Sequence, residues 1–90
     1  MPNSVYEISD DVLFQQVAGE AVLLDLQGEE YFGLNEVGVR VWQLLQEGHS
    51  ANSVVAALLA EYAVAKPQLS DDVKGLLSQL QERGLIRIAG

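Results

Sequence analysis

The sequence has no cysteine, two prolines, a single histidine and only five basic residues. Each shortage removes a class of function. Without cysteine there is no disulfide, no thiolate metal site and no cysteine nucleophile. His49 stands alone, so no second imidazole lies at metal-ligand spacing, and no metal or cofactor is expected. No apolar run approaches the roughly 20 residues needed to span a bilayer. Met1-Pro2-Asn3-Ser4 lacks the basic start and apolar stretch of a signal peptide. A cytoplasmic protein is expected.

The shortage of bases is the second constraint. Thirteen acids against five bases give a formal charge of −8. Nucleic-acid binding draws much of its free energy from Lys and Arg neutralising phosphates. Here Arg40, Lys66, Lys74, Arg83 and Arg87 are scattered singly among acids. Neither nucleic acid nor an anionic membrane is an expected partner. What remains is a chain of 90 residues, 49% hydrophobic, with the means to bury one modest core. It reads as one domain over residues 1–90.

Hydrophobic patterning divides that domain. Val12 to Val17 is β-rich and ends at Ala18-Gly19, a turn signal. Ala21 to Leu26 follows and stops at Gln27-Gly28-Glu29, and Glu30 to Leu34 forms a short third strand. Three strands with Gly-containing turns predict an antiparallel meander. Val5 to Ile8 carries a weaker pattern for a further strand. Asn35 is placed to cap a helix, since its side-chain oxygen can accept from the free amides of the first turn. Val37, Val41, Leu44 and Leu45 make its apolar stripe, and Gly48 stops it. Ser50 caps a second helix with Val54, Val55, Leu58, Leu59 and Tyr62 on its buried face. Lys66-Pro67 reads as a break. Ser70 then reads as the cap of a third helix, with Asp71 and Asp72 at the positive end of its dipole. Val73, Leu76, Leu77 and Leu80 make its apolar face, Gly84 ends it, and Leu85-Ile86-Arg87-Ile88 is β-prone. The expected fold class is α+β, a three-stranded antiparallel meander followed by three helices, similar in layout to a winged helix-turn-helix.

A search for chemistry returns little. His49 lies between Gly48 and Ser50 in a loop, where an exposed histidine needs no catalytic role. Asp71-Asp72 and Glu29-Glu30 are sequence neighbours rather than convergent pairs, because adjacent side chains on a helix diverge by about 100°. Gly28, Gly33 and Gly38 meet neither phosphate-loop spacing. No catalytic residue is assigned, and the chain is read as a non-enzyme. Two features exceed a structural account. The strand Glu30-Tyr31-Phe32-Gly33-Leu34 is last in its meander, which suits a sheet edge, and alternation puts Phe32 and Leu34 toward the helices with Tyr31 on the other face. Leu76 and Leu77 widen the third helix's apolar face beyond a minimal stripe, so either both are core in a small domain or one serves the core while the other lines a groove.

Tyr31 to Gly48, Glu61-Tyr62-Ala63-Val64, Asp72-Val73-Lys74-Gly75-Leu76-Leu77 and Arg83-Gly84-Leu85-Ile86 together resemble PqqD-like proteins, the peptide-recognition domains of ribosomal peptide modification pathways. The resemblance covers the chain from about Val12 to Ile88. Two branches fit the length: the chaperone of pyrroloquinoline quinone biosynthesis, and the stand-alone leader-binding protein of lasso-peptide pathways. Tyr31 to Gly38, with Val41-Trp42 and Glu61-Tyr62, is more similar to the lasso branch. Ala63 departs from it, standing where an acidic residue often follows the tyrosine. The resemblance implies that a precursor's leader peptide adds as a strand to Glu30, Tyr31, Phe32, Gly33 and Leu34. Its side chains are then expected in a groove walled by Val73, Leu76, Leu77 and Leu80. It further implies a separate leader peptidase and a ring-forming cyclase as partners. A winged-helix DNA-binding protein is the rival of similar layout, against which the scattered bases speak.

Overall fold

Eight elements follow one another as β1 (Val5–Ile8), β2 (Val12–Val17), β3 (Glu20–Asp25), β4 (Glu30–Leu34), α1 (Glu36–Gln46), α2 (Ala51–Glu61), α3 (Lys66–Glu82) and β5 (Ile86–Ala89). The computed structural model describes residues 5–89; Met1 to Ser4, expected to carry no signal sequence, and Gly90 lie outside the described residues. Turn chemistry sets the layout. Ala18 and Gly19, both at positive φ (49° and 87°), join β2 to β3 as a two-residue hairpin whose twist matches its strands. A four-residue turn, with Gln27 donating its backbone N–H to Asp25 Oδ1 at 3.0 Å, returns the chain into β4. The meander is antiparallel in the order β2-β3-β4, as expected, while β1 pairs with β5 in a separate antiparallel ribbon.

Caps define the first two helices. Asn35 Oδ1 accepts from the backbone N–H of Gly38 at 2.8 Å, and Ser50 Oγ accepts from that of Ser53 at 3.3 Å. Gly48 and Gly84 stand just past the ends of α1 and α3 at φ of 92° and 71°. There the N–H groups of Gly48 and His49 reach back to Leu45 and Leu44, and those of Gly84 and Leu85 to Gln81 and Leu80. These bonds satisfy carbonyls that the ending helix leaves open.

The third helix starts earlier than its sequence pattern indicates. Lys66-Pro67 does not break the helical run but opens it, with Ala65 as an N-cap that has no side-chain bond to give. Proline is well placed in a first turn, because the N–H it lacks would be unpaired there in any case. Ser70 is therefore inside the helix rather than its cap. Asp71 and Asp72 fall beyond the first turn, where the favourable dipole effect fades.

One core lies between the inner face of the meander and the helices. Leu23 from β3, Val41, Trp42 and Leu44 from α1, Val54 and Leu58 from α2, and Val73 and Leu80 from α3 are all nearly or fully inaccessible. Trp42 is 1% exposed, and its Nε1 finds no acceptor among the described residues. A bifurcated ion pair ties α1 to α2, with Arg40 Nε donating to Glu61 Oε1 at 2.9 Å and Oε2 at 3.0 Å. That bond raises the pKa of the Arg40 guanidinium above its ordinary value and holds the Glu61 carboxyl below the usual carboxylate range. No helix among the described residues is long and apolar enough to cross a membrane.

Candidate functional site

Strand β4 pairs with β3 on one side only, so its outer edge presents backbone N–H and C=O groups without a strand partner among the described residues. Helix α3 runs beside this edge, opposite in direction. The C-terminal Arg83 lies over the Phe32 ring at 5.4 Å, while Leu69, near the start of α3, shares a groove with Leu34 and Asn35. That groove, about 580 Å³, lies between β4, the first turns of α1 and the length of α3.

Alternation along β4 decides what enters the groove. Phe32 and Leu34 point inward, and Gly33 between them leaves the strand edge uncovered, with nothing within 4 Å of where its Cβ would stand. The strand passes into α1 through Asn35, and Gly38 allows the tight join. A Cβ there would sit 3.1 Å from Leu34 Cδ2 and 3.3 Å from Asn35 Oδ1. The opposite wall comes from Val73 and Leu76 of α3, with Val37 and Val41 as the floor. Tyr62, Asn35, Gln79 and Asp72 are the polar lining groups, and Asp72 carries the groove's one charge among the described lining residues.

The expected site residues separate into three groups. Phe32, Gly33, Leu34, Val73 and Leu76 meet in the groove. Glu30 and Tyr31 belong to the same strand but lie past its end. Glu30 Oε2 is 3.8 Å from Arg83 Nη1, and Tyr31 is 70% exposed on the far face of the sheet. Leu77 and Leu80 turn into the core, at 3% and 0% exposure, and do not line the groove. The question left between Leu76 and Leu77 is thereby answered in geometry: half-buried Leu76 faces the groove.

Sequence reasoning missed several lining residues. Val37 and Val41 were assigned to holding the fold, and Val41 does so at 1% exposure while also flooring the groove. Tyr62, expected on the buried face of α2, is instead the extended C-cap of that helix and lines the groove with Val64. The signal was present in Glu61-Tyr62-Ala63-Val64, where an aromatic and an aliphatic residue follow a helix end before a proline. Asp72 was obscured by its assignment to the helix start. His49 is half-buried in its loop with Nε2 3.7 Å from Glu47 Oε1, away from the groove lining. Among the described residues no three His, Asp or Glu side chains are grouped to hold a metal ion.

An unpaired strand edge beside an apolar groove is an arrangement for accepting an extended peptide. Comparison with known proteins bears on which one. The profile of the family described as "Coenzyme PQQ synthesis protein D (PqqD)" matches residues 20–86. The chain belongs to the PqqD family.

Two solved structures of similar proteins refine the placement. One is "TbiB1 in Complex with the TbiA(beta) Leader Peptide", 41% identical to this PqqD-family chain with a TM-score of 0.83, the alignment covering 90% of this chain and 94% of that one. The other is "Lasso peptide synthetase B1 complexed with the leader peptide", 28% identical with a TM-score of 0.83, covering 93% of this chain and 99% of that one. No curated protein sequence matches the chain. Family and fold both agree with the resemblance seen in the sequence.

Proposed function

We propose that this PqqD-family chain binds the leader segment of a ribosomally made precursor, most closely a lasso-peptide precursor. In this reading the leader adds as a strand to β4, sets its side chains into the groove beside α3, and is presented to a separate leader peptidase and a ring-forming cyclase. The observation that carries the reading is the coincidence of a free β4 edge and an adjoining apolar groove in a chain 41% identical to a protein solved with a leader peptide bound. Strand addition supplies affinity with little sequence preference, whereas side-chain pockets supply specificity.

Magnitudes support that division. Roughly four backbone hydrogen bonds at ~1 kcal/mol net each do little more than offset the ~2–5 kcal/mol needed to order a disordered segment. Two or three buried anchors at ~1.5–3 kcal/mol each must supply the surplus. Phe32, Leu34, Val37 and Leu76 are the surfaces those anchors meet. The protein's own role is therefore positional, with no bond made or broken in the groove, and the cytoplasm is the compartment where such a partner to peptide synthesis works.

The test is a titration of fluorescein-labelled TbiA(beta) leader peptide, followed by anisotropy, with a scrambled peptide as control. Saturable binding by the leader alone is expected, with amide chemical-shift changes concentrated at residues 30–34 and in α3. Perturbations confined elsewhere would refute docking at this edge. The pyrroloquinoline quinone precursor peptide serves as the second arm, and tighter binding of that peptide would reassign the branch.

A further inference from the structure

Helix α3 turns a single line of side chains toward the open edge of β4. Leu69, Asp72, Leu76, Gln79 and Arg83 follow one another at intervals of three and four residues, the spacing that stacks side chains on one helix face. The first four line the groove, and Arg83 closes the line over the Phe32 ring, with its Nη1 3.8 Å from Glu30 Oε2. The helix's other charges, Lys66, Asp71, Lys74 and Glu82, stand about 80° or more off this line, and none of them lines the groove.

The two charges on this line are opposite in sign and sit at opposite ends of the β4 edge. Asp72 is exposed and has no hydrogen-bond or ion-pair partner among the described residues. Its helix neighbours at three and four residues, Gln68, Leu69, Gly75 and Leu76, offer no cation. Asp72 stands at the groove end where Leu34 passes into Asn35, whereas Arg83 stands at the Phe32 and Glu30 end. Glu30 meets Arg83 only at 3.8 Å, beyond hydrogen-bond length, and both are exposed, so the guanidinium keeps donors open to a second carboxylate.

Helix rise carries Arg83 about 16 Å beyond Asp72, a distance that an extended chain covers in about five residues. Only alternate residues of an added strand face the groove, so the groove-facing positions nearest the two charges are about four or six residues apart. β4 pairs antiparallel with β3, and antiparallel pairing is the more stable per residue, so the added strand runs opposite to β4 and enters at the Leu34 end. We propose that Asp72 and Arg83 set the direction and register of the bound leader: a basic side chain pairs with Asp72, and an acidic side chain about four or six residues later in the peptide pairs with Arg83. A leader laid in backwards meets like charge at both ends. The inference rests on the leader-binding reading and adds to it a charge order that apolar anchors alone do not impose.

The experiment is a charge scan of fluorescein-labelled TbiA(beta) leader peptide, with Lys, Gln or Glu placed at each position in turn and each peptide titrated by anisotropy at low salt. For the parent chain, the ratio of Kd with Glu to Kd with Lys should rise about three- to tenfold at one position. It should fall by a similar factor about four or six positions toward the peptide's C-terminus. Asp72→Asn should flatten the first position and leave the second, and Arg83→Gln should do the reverse. A ratio that stays flat along the peptide overturns the proposal. So do preferences that survive both variants, and so does an acid preference lying N-terminal to the basic one.

Charge reversal guards against a folding defect. Asp72→Lys should invert the preference at the first position, so that Glu binds better than Lys there, an outcome that loss of fold cannot produce; an unaltered preference for Lys overturns the pairing with Asp72. Flat ratios with saturable binding of the unsubstituted leader overturn the charge assignment and leave the leader-binding reading standing. No binding by any peptide of the scan overturns both.

Discussion

Truncating Leu76 to alanine should weaken leader binding while leaving the fold nearly as stable, and truncating its neighbour Leu77 should do the opposite. Leu77 is 3% exposed within the core, so its removal leaves a cavity. Core Leu→Ala changes cost about 2–5 kcal/mol, against a total of about 5–13 kcal/mol expected for a domain of this length. Leu76 is half-buried in the free protein, and a bound peptide would cover the remainder. Full burial of a leucine side chain contributes ~1.5–3 kcal/mol, so covering about half of it contributes ~1 kcal/mol, or about a fivefold change in Kd. Both quantities are measurable on the same samples. Denaturant unfolding can be followed through Trp42, the sole and buried tryptophan, and binding through leader anisotropy. The aspartate variants sharpen the contrast, because Leu76→Asp sets a charge in the groove whereas Leu77→Asp sets one in the core. Normal binding by folded Leu76→Asp would sink the groove assignment, and so would a Leu76→Ala variant that loses stability like Leu77→Ala.

Saturating leader should slow hydrogen exchange at those β4 amides that face away from β3, and unchanged exchange throughout residues 30–34 would argue against strand addition. Asn35→Ala removes the acceptor for Gly38 N–H and should lower stability by about 1 kcal/mol, read from denaturant midpoints; an unchanged midpoint would show that the cap contributes nothing. The Arg40–Glu61 pair should appear on the acid limb of stability. Because folding lowers the Glu61 pKa, its contribution is present above the ordinary carboxylate value and is lost as pH falls through the lower folded value. Arg40 is shifted upward, so its share is lost only at strongly alkaline pH. Glu61→Gln should flatten the acid limb of Tm against pH at low salt, less so at high salt since the pair faces solvent. Parallel curves for parent and variant would contradict this.

Much of the architecture was legible because local chemistry and fold agree. Asn35, Ser50, Gly48 and Gly84 act where their residue types indicate, and the alternation of Glu30 to Leu34 correctly sends Phe32 inward. The start of α3 was misread because Pro67 satisfies two opposite rules, breaker in a helix interior and favoured residue in a first turn. The burial of Leu69, the residue just before the expected cap, decides between them in favour of a helix that opens at Lys66. The partition of Leu76 from Leu77 was legible as a choice but not as an answer, since the rotation of α3 about its axis is set by what it packs against. Trp42 had no assignment from its stripe, and its complete burial reflects elements far away in sequence. Pairing of β1 with β5, sealed by Arg87 Nη2 and Glu7 Oε2 at 2.7 Å, joins residues 80 apart and leaves no local trace.

That ribbon has a consequence for how the domain can be combined with others. Val5 stands opposite Ala89 in an antiparallel pair, so the first and last described residues lie about 5 Å apart. Neither Val5 nor Ala89 lines the groove. A host chain could therefore leave and re-enter through this point as through a single stem. Ends paired in this way make the fold geometrically compatible with insertion into a longer chain.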